Sequence, residues 1–207
     1  MDLVYSLLAV GLAYLVGSLS FAVIVSRAMG LSDPRSYGSG NPGATNVLRS
    51  GNKLAAVLTL IGDAAKGWLA VWLASRYGAD PATIAGAGLA SFIGHVFPIM
   101  LGFKGGKGVA TAAGVFLGFH LWLGLGAIGI WLLLAIVTRY SSLAAIGAAV
   151  LAPILGWWLL PEGVQVMATL AICVVVGWRH RPNIEKLLAG TESRIGDGKT
   201  QAGDSSS

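Results

Sequence analysis

The chain has 207 residues, 55% of them hydrophobic and only 11% charged, far below the roughly 25% charged content of soluble domains. Its net charge of +5 is scattered among short connections and forms no basic stripe, which excludes the footprint of a nucleic-acid partner. A single cysteine, Cys173, excludes an internal disulfide and any zinc cluster built on thiolates.

A mean hydropathy of +0.74, with seven Trp and 30 Gly, reads as an integral membrane protein, because Trp favours bilayer interfaces and Gly lets spanning helices approach. Spanning helices need about 20 apolar residues. In chain order the candidate runs are 3–28, 53–75, 82–101, 109–137, 143–160 and 163–178. The opening Met1-Asp-Leu-Val-Tyr5 lacks the basic start and small-residue cleavage site of a secretory signal, so the first run is expected to stay as a helix.

Between the first two runs lies Gly38-Ser-Gly-Asn-Pro-Gly-Ala-Thr-Asn46, followed by Arg49. Ser39, Gly40, Asn41, Gly43, Thr45 and Asn46 offer hydroxyls, amides and a flexible backbone beside one fixed cation, a combination that can wrap an anion. Asn-Pro-Gly also makes an ordinary turn by itself. In the second run Asp63 and Lys66 share a helix face at i,i+3 spacing. Intramembrane charges are costly and are functional candidates by default; Lys66 is taken as a candidate phosphate ligand, with a self-neutralising pair as the alternative. His95 in the third run reads as a satisfied interior histidine.

The next connection is Gly102-Phe-Lys-Gly-Gly-Lys-Gly-Val-Ala-Thr111. It is not a Walker A loop, because Leu101 stands at the first glycine position and Gly108 follows the lysine. Lys104, Gly105, Gly106, Lys107 and Gly108 can still hold a phosphate through amides at the start of a helix beginning near Val109. A basic turn that serves only topology is the alternative. The last cluster is Trp178-Arg-His-Arg-Pro-Asn-Ile-Glu185, where imidazole would titrate near neutrality and Asn183 offers donors for a polarised carbonyl oxygen. The His180-x-x-x-x-Glu185 spacing is discounted as an acyltransfer dyad, since Glu185 is expected to face water. Motifs for serine hydrolysis, zinc hydrolysis and glycoside cleavage are missing, so neither metal nor cofactor is expected.

Basic residues mark cytoplasmic loops. They cluster at Arg27–Lys53, Lys104 and Lys107, Arg139, and Arg179–Lys186. Two short crossings within 109–137, turning near His120, would bring every cluster to one side. The expected fold is therefore an all-α integral membrane protein of seven transmembrane helices, N-terminus outside and C-terminus cytoplasmic. Residues 1–195 form a single transmembrane domain, and the small polar stretch 196–207 is expected to be a disordered cytoplasmic tail.

Gly38–Asn46, Asp63-Ala-Ala-Lys-Gly67, Gly94-His-Val-Phe-Pro98, Phe103–Thr111 and His180-Arg-Pro-Asn-Ile184, in this order, resemble the bacterial acyl-phosphate:glycerol-3-phosphate acyltransferase family over roughly residues 5–195. The resemblance implies transfer of a fatty acyl group from acyl phosphate to the 1-hydroxyl of sn-glycerol 3-phosphate, giving lysophosphatidic acid and phosphate. This would be the first acylation of phospholipid synthesis, carried out in the bacterial inner membrane with the site loops facing the cytoplasm. Carried over by position, Ser39 and Arg49 match essential residues, Gly105–Gly108 with Lys107 the glycerol-phosphate site, and His180 and Asn183 the catalytic pair. Ser142 matches a further site serine and Glu192 a structural residue. The lipid bilayer and an upstream enzyme that makes acyl phosphate are the implied partners. Ser20 stands where the family usually has proline, and Lys186 where arginine is common. A small transporter of phosphate or organophosphate is the alternative, but the internal repeat that would mark it is missing.

Overall fold

The computed structural model describes residues 3–196, all-helical apart from turns and connections. The order is α1 (Leu3–Gly17), α2 (Phe21–Ala28), α3 (Ala44–Leu48), α4 (Lys53–Arg76), α5 (Pro81–Val96), a 3₁₀ turn (Ile99–Leu101), α6 (Val109–Phe119), α7 (Leu121–Thr138), α8 (Ser141–Leu159), α9 (Gly163–Arg179) and α10 (Arg181–Leu188). The tail expected at 196–207 lies outside the described residues except for Gly196.

Local chemistry sets several boundaries. Asn52 caps α4 by accepting from the Ala55 amide at 3.0 Å, and Asp80 caps α5 by accepting from Thr83, with Pro81 in the first turn. The long run 109–137 breaks at His120, the single residue between α6 and α7. The run 3–28, expected as one helix, instead bends by 44° between α1 and α2. At the break the Leu19 carbonyl accepts a 2.6 Å hydrogen bond from Lys66 Nζ, and a side chain inserted into the backbone ladder is an established cause of a kink. Ser20, the residue before α2, has a buried hydroxyl without a partner among the described residues.

Among the described residues four segments are long and apolar enough to cross a membrane: α4, Pro81–Leu101, α7 and α8. Counting each bent pair, α1 with α2 and α9 with α10, as one span brings the number to six. α6 has 11 residues, a length of roughly 16 Å against a hydrocarbon core of about 30 Å. It packs against α4, α5, α7 and α9, so neighbouring helices rather than lipid cover much of it. Glycines make the tightest contacts possible: a methyl on Gly67 would overlap the Thr111 carbonyl, and one on Gly114 the Ala64 carbonyl. This is small-residue packing, the mode available where lipid removes the hydrophobic drive between helices. Large apolar side chains such as Leu12, Ile61, Ile136, Val150 and Val174 point outward, as lipid-facing residues do.

The packing sorts the connections to two ends. Tyr5 donates to the Tyr77 carbonyl and Thr83 to Ser6, so the start of α1 meets the α4–α5 connection at one end. At the other, Arg49 reaches Ser193, Lys107 reaches Asn183, and Arg139 pairs through backbone and side chain with Ile195. Every described basic cluster from Arg49 onward that was expected to share a side does so at this end.

Candidate active site

Four elements meet in one hydrogen-bonded chain. Lys107 Nζ donates to Asn183 Oδ1, Asn183 Nδ2 donates to Glu192 Oε1 at 2.7 Å, and Ser142 Oγ donates to the same carboxylate oxygen at 2.6 Å. The glycine loop, α10, the segment after α10 and the first turn of α8 are thereby fixed to one another. An amide nitrogen carries two N–H groups, so Asn183 keeps one donor beyond its bond to Glu192.

The glycine loop is built by backbone contacts. The amides of Gly105 and Gly106 donate to the carbonyls of Val96 and His95, each at 3.2 Å, and Arg179 donates to the Gly105 carbonyl at 3.0 Å. Those two amides, expected to hold phosphate, instead close the loop onto the end of α5. Gly108 has a φ of +83° and abuts Phe92, so a side chain there would face both strain and overlap. The amides of Lys107 and Gly108 have no backbone partner among the described residues, and they open onto the start of α6, where the first N–H groups of any helix are free. The amides left without a backbone partner are therefore those of the loop's second half.

In the first loop Asn46 is buried and wholly engaged. Its Nδ2 donates to the carbonyls of Pro34 at 2.6 Å and Tyr37 at 3.1 Å, while its Oδ1 accepts from the Ser39 amide and from Arg49. This makes Asn46 the clamp of the loop, in place of the anion ligand expected of it. Gly40 turns the chain with a φ of +66°, and Gly43 precedes α3. Thr45 Oγ1 lies 3.2 Å from Ser141 Oγ, joining this loop to α8. Arg49 donates to Ser193 Oγ at 2.8 Å, and Ser39 and Asn41 line the partly open surface. Lys104 is exposed, with no side-chain partner among the described residues. Lys66, expected as a phosphate ligand, is buried in the bundle against Asp63 at 2.8 Å.

His180 is buried, and its Nδ1 lies 2.7 Å from the Val176 carbonyl. A carbonyl can only accept, so Nδ1 carries the proton and Nε2 keeps its lone pair. Burial is the main cause that lowers its pKa to about 4, and the Lys107 charge adds to it. The ring therefore does not titrate near neutrality as the sequence suggests, and Nε2 is left as an acceptor and not a donor. Burial likewise lowers the Lys107 pKa to about 8, with Glu192 opposing it and the Arg179 and Arg49 charges reinforcing it. Glu185 is exposed and forms no hydrogen bond with His180. Ser141 and Ser193 were missed as parts of this end; Arg179 was expected on this side as one of a basic cluster, and only the approach of Gly105 discloses its bond.

A family model described as glycerol-3-phosphate acyltransferase matches residues 7–190. The chain belongs to the glycerol-3-phosphate acyltransferase family. A glycerol-3-phosphate acyltransferase of Burkholderia multivorans is 62% identical over 198 residues, covering 95% of this chain and 93% of the relative. One of Paraburkholderia phytofirmans is 59% identical over 198 residues, covering 94% and 92%. The crystal structure of PlsY (YgiH), an integral membrane glycerol 3-phosphate acyltransferase, in its glycerol 3-phosphate form superposes with a TM-score of 0.87 at 38% identity, covering 93% of this chain and 96% of that one. The lysophosphatidic acid form gives 0.86 at 36% identity, covering 92% and 95%. This glycerol-3-phosphate acyltransferase fold is thus that of an integral membrane enzyme, and none of the relatives favours a transporter.

Proposed function

We propose that the chain transfers a fatty acyl group from acyl phosphate to the 1-hydroxyl of sn-glycerol 3-phosphate, forming lysophosphatidic acid and phosphate. The observation that carries this reading is the Lys107–Asn183–Glu192–Ser142 chain beside the free amides at the start of α6, in a fold shared with an enzyme known in glycerol 3-phosphate and lysophosphatidic acid forms. Lys107, Gly108 and the α6 start hold the phosphate of glycerol 3-phosphate. Arg49, Ser39, Asn41, Gly40, Gly43 and Thr45 border the second anion, and Ser142 with Glu192 positions Asn183. Orientation of two anions that repel in water supplies much of the rate, on the order of several kcal/mol.

The chemistry follows from the tautomer. His180 Nε2 accepts a hydrogen bond from the 1-hydroxyl and aims its oxygen at the acyl carbonyl, whose developing oxyanion takes the remaining N–H of Asn183. The new C–O bond forms, the C–O bond to phosphate breaks, and the hydroxyl proton leaves on a phosphate oxygen. A ring with a pKa of about 4 is a weak terminal base, whereas the departing phosphate is a better one.

In the same reading the enzyme crosses the inner membrane seven times, as α1 with α2, then α4, α5, α6, α7, α8 and α9. The N-terminus is outside and the site faces the cytoplasm, where an upstream enzyme delivers acyl phosphate. Residues 1–195 act as one acyltransferase domain with a short tail. The positive-inside pattern supports this orientation.

Two assays test it. Purified protein with long-chain acyl phosphate and glycerol 3-phosphate is expected to yield lysophosphatidic acid; product from acyl-CoA or acyl carrier protein but not from acyl phosphate would overturn the donor. A pH profile of kcat/KM for glycerol 3-phosphate reports the free enzyme. Lys107 holds the anion only while protonated, so kcat/KM is expected to fall as pH rises through about 8. His180 should add no limb between pH 5 and 8, and His180→Gln should leave the shape of the curve unchanged at a lower level.

A further inference from the structure

His95 is the one imidazole of this region that the proposed chemistry leaves unused. It ends α5 with 7% of its surface exposed. Its Nδ1 lies 2.9 Å from Lys66 Nζ, which also contacts the Leu19 carbonyl at 2.6 Å and Asp63 Oδ1 at 2.8 Å. An ammonium has three protons and no lone pair; it donates to the Leu19 carbonyl and meets Nδ1 at hydrogen-bond distance, with Asp63 beside it as its ion-pair partner. Nδ1 must therefore accept, which puts the ring proton on Nε2; the 3.4 Å approach of Asp63 to Nδ1 is too long to compete.

The Nε2–H group has no acceptor among the described residues. It lies directly against Gly106: a methyl placed there would overlap Nε2 and would stand 3.1 Å from the Pro42 carbonyl. This donor thus sits where the two glycine loops meet, one residue from Lys107. An N–H without a protein acceptor is left to solvent or to a ligand, and an anion oxygen at this meeting point would satisfy it.

We propose that His95 is a further substrate-binding residue, its Nε2–H donating to a phosphate oxygen held at Gly106–Gly108, with Lys66 and Asp63 as the positioning pair that fixes its tautomer. This rests on the acyltransferase reading above. It assigns to the buried ion pair a task that neither a phosphate ligand nor a plain structural pair would have.

The chain has three histidines, so ¹⁵N-imidazole spectra of the detergent-solubilised whole protein are readily assigned with His95→Gln. Wild type is titrated with glycerol 3-phosphate and, separately, with a non-transferable alkyl phosphonate standing in for acyl phosphate. The His95 signal is expected to show protonated Nε2 and to shift with one of the two, which identifies whose phosphate it binds. His95→Phe should raise KM for that substrate by about tenfold to a hundredfold, the range for hydrogen bonds to charged groups, with kcat changed less. His95→Gln, whose amide N–H can stand near Nε2, should recover most of the loss. A proton on Nδ1, or an unmoved His95 signal in protein that is saturated and turning over, would overturn the inference while leaving the acyltransferase reading intact. Wild type that neither binds nor acylates glycerol 3-phosphate would overturn both.

Discussion

Replacing Lys107 with methionine is expected to lower kcat/KM by on the order of a thousandfold, the scale seen when a preorganised charge-stabilising donor is removed from an active site. Three losses coincide. The ammonium is the cation nearest the free amides at the α6 start, so the anion loses its counter-charge. Asn183 Oδ1 loses its donor, so the amide is free to rotate and its remaining N–H no longer points at a fixed place. Glu192, held by Ser142 and Asn183, loses the opposing charge across the chain.

The comparison that isolates this effect is Lys104→Ala, three residues away. Lys104 is exposed and holds no side-chain partner among the described residues, so its removal should change kcat/KM by only about threefold, the scale of a screened surface charge. Lys107→Arg should not rescue activity, because a planar guanidinium cannot take the place of a compact ammonium beside Asn183. Equal losses from Lys104→Ala and Lys107→Met would show that loop charge alone, and not the Lys107–Asn183 contact, holds the substrate. Steady-state kinetics on purified, monodisperse protein decides it.

The membrane class and the hairpin at His120 were legible because both follow from quantities distributed along the chain: apolar run length, and cations in short connections. Lys107 and Asn183 were legible as chemistry-bearing residues, since nothing apolar explains a lysine among glycines or an asparagine beside a proline at a helix exit. What the loop amides do was not legible. Gly105 and Gly106 look like phosphate ligands in sequence, and only the approach of the His95 and Val96 carbonyls shows their N–H groups to be engaged. The environment of His180 was hidden for the same reason, as its burial depends on the packing of α9 and not on its two arginine neighbours. Asp63 and Lys66 could be paired from their i,i+3 spacing, but the third and fourth members of that group, Leu19 and His95, are 47 and 29 residues from Lys66.

That buried group carries the other large expectation. Asp63→Asn should destabilise the protein by about 3–5 kcal/mol, the cost of breaking a buried ion pair from one side. Lys66 is 3% exposed, and without the carboxylate its charge has only dipoles for company: the Leu19 carbonyl and the His95 ring. In a thermal scan this corresponds to a fall in apparent Tm on the order of 10 °C. Asp63→Asn combined with Lys66→Met removes the ion along with its partner and should restore much of that stability, because a neutral, well-filled site avoids the desolvation penalty. The double variant also removes the donor that holds the His95 proton on Nε2, so its affinity for the phosphate-bearing substrate should stay low after its Tm has recovered. A pair serving stability alone would let both recover together, and a single variant as stable as wild type would mean that the Lys66 charge is not compensated by Asp63 at all.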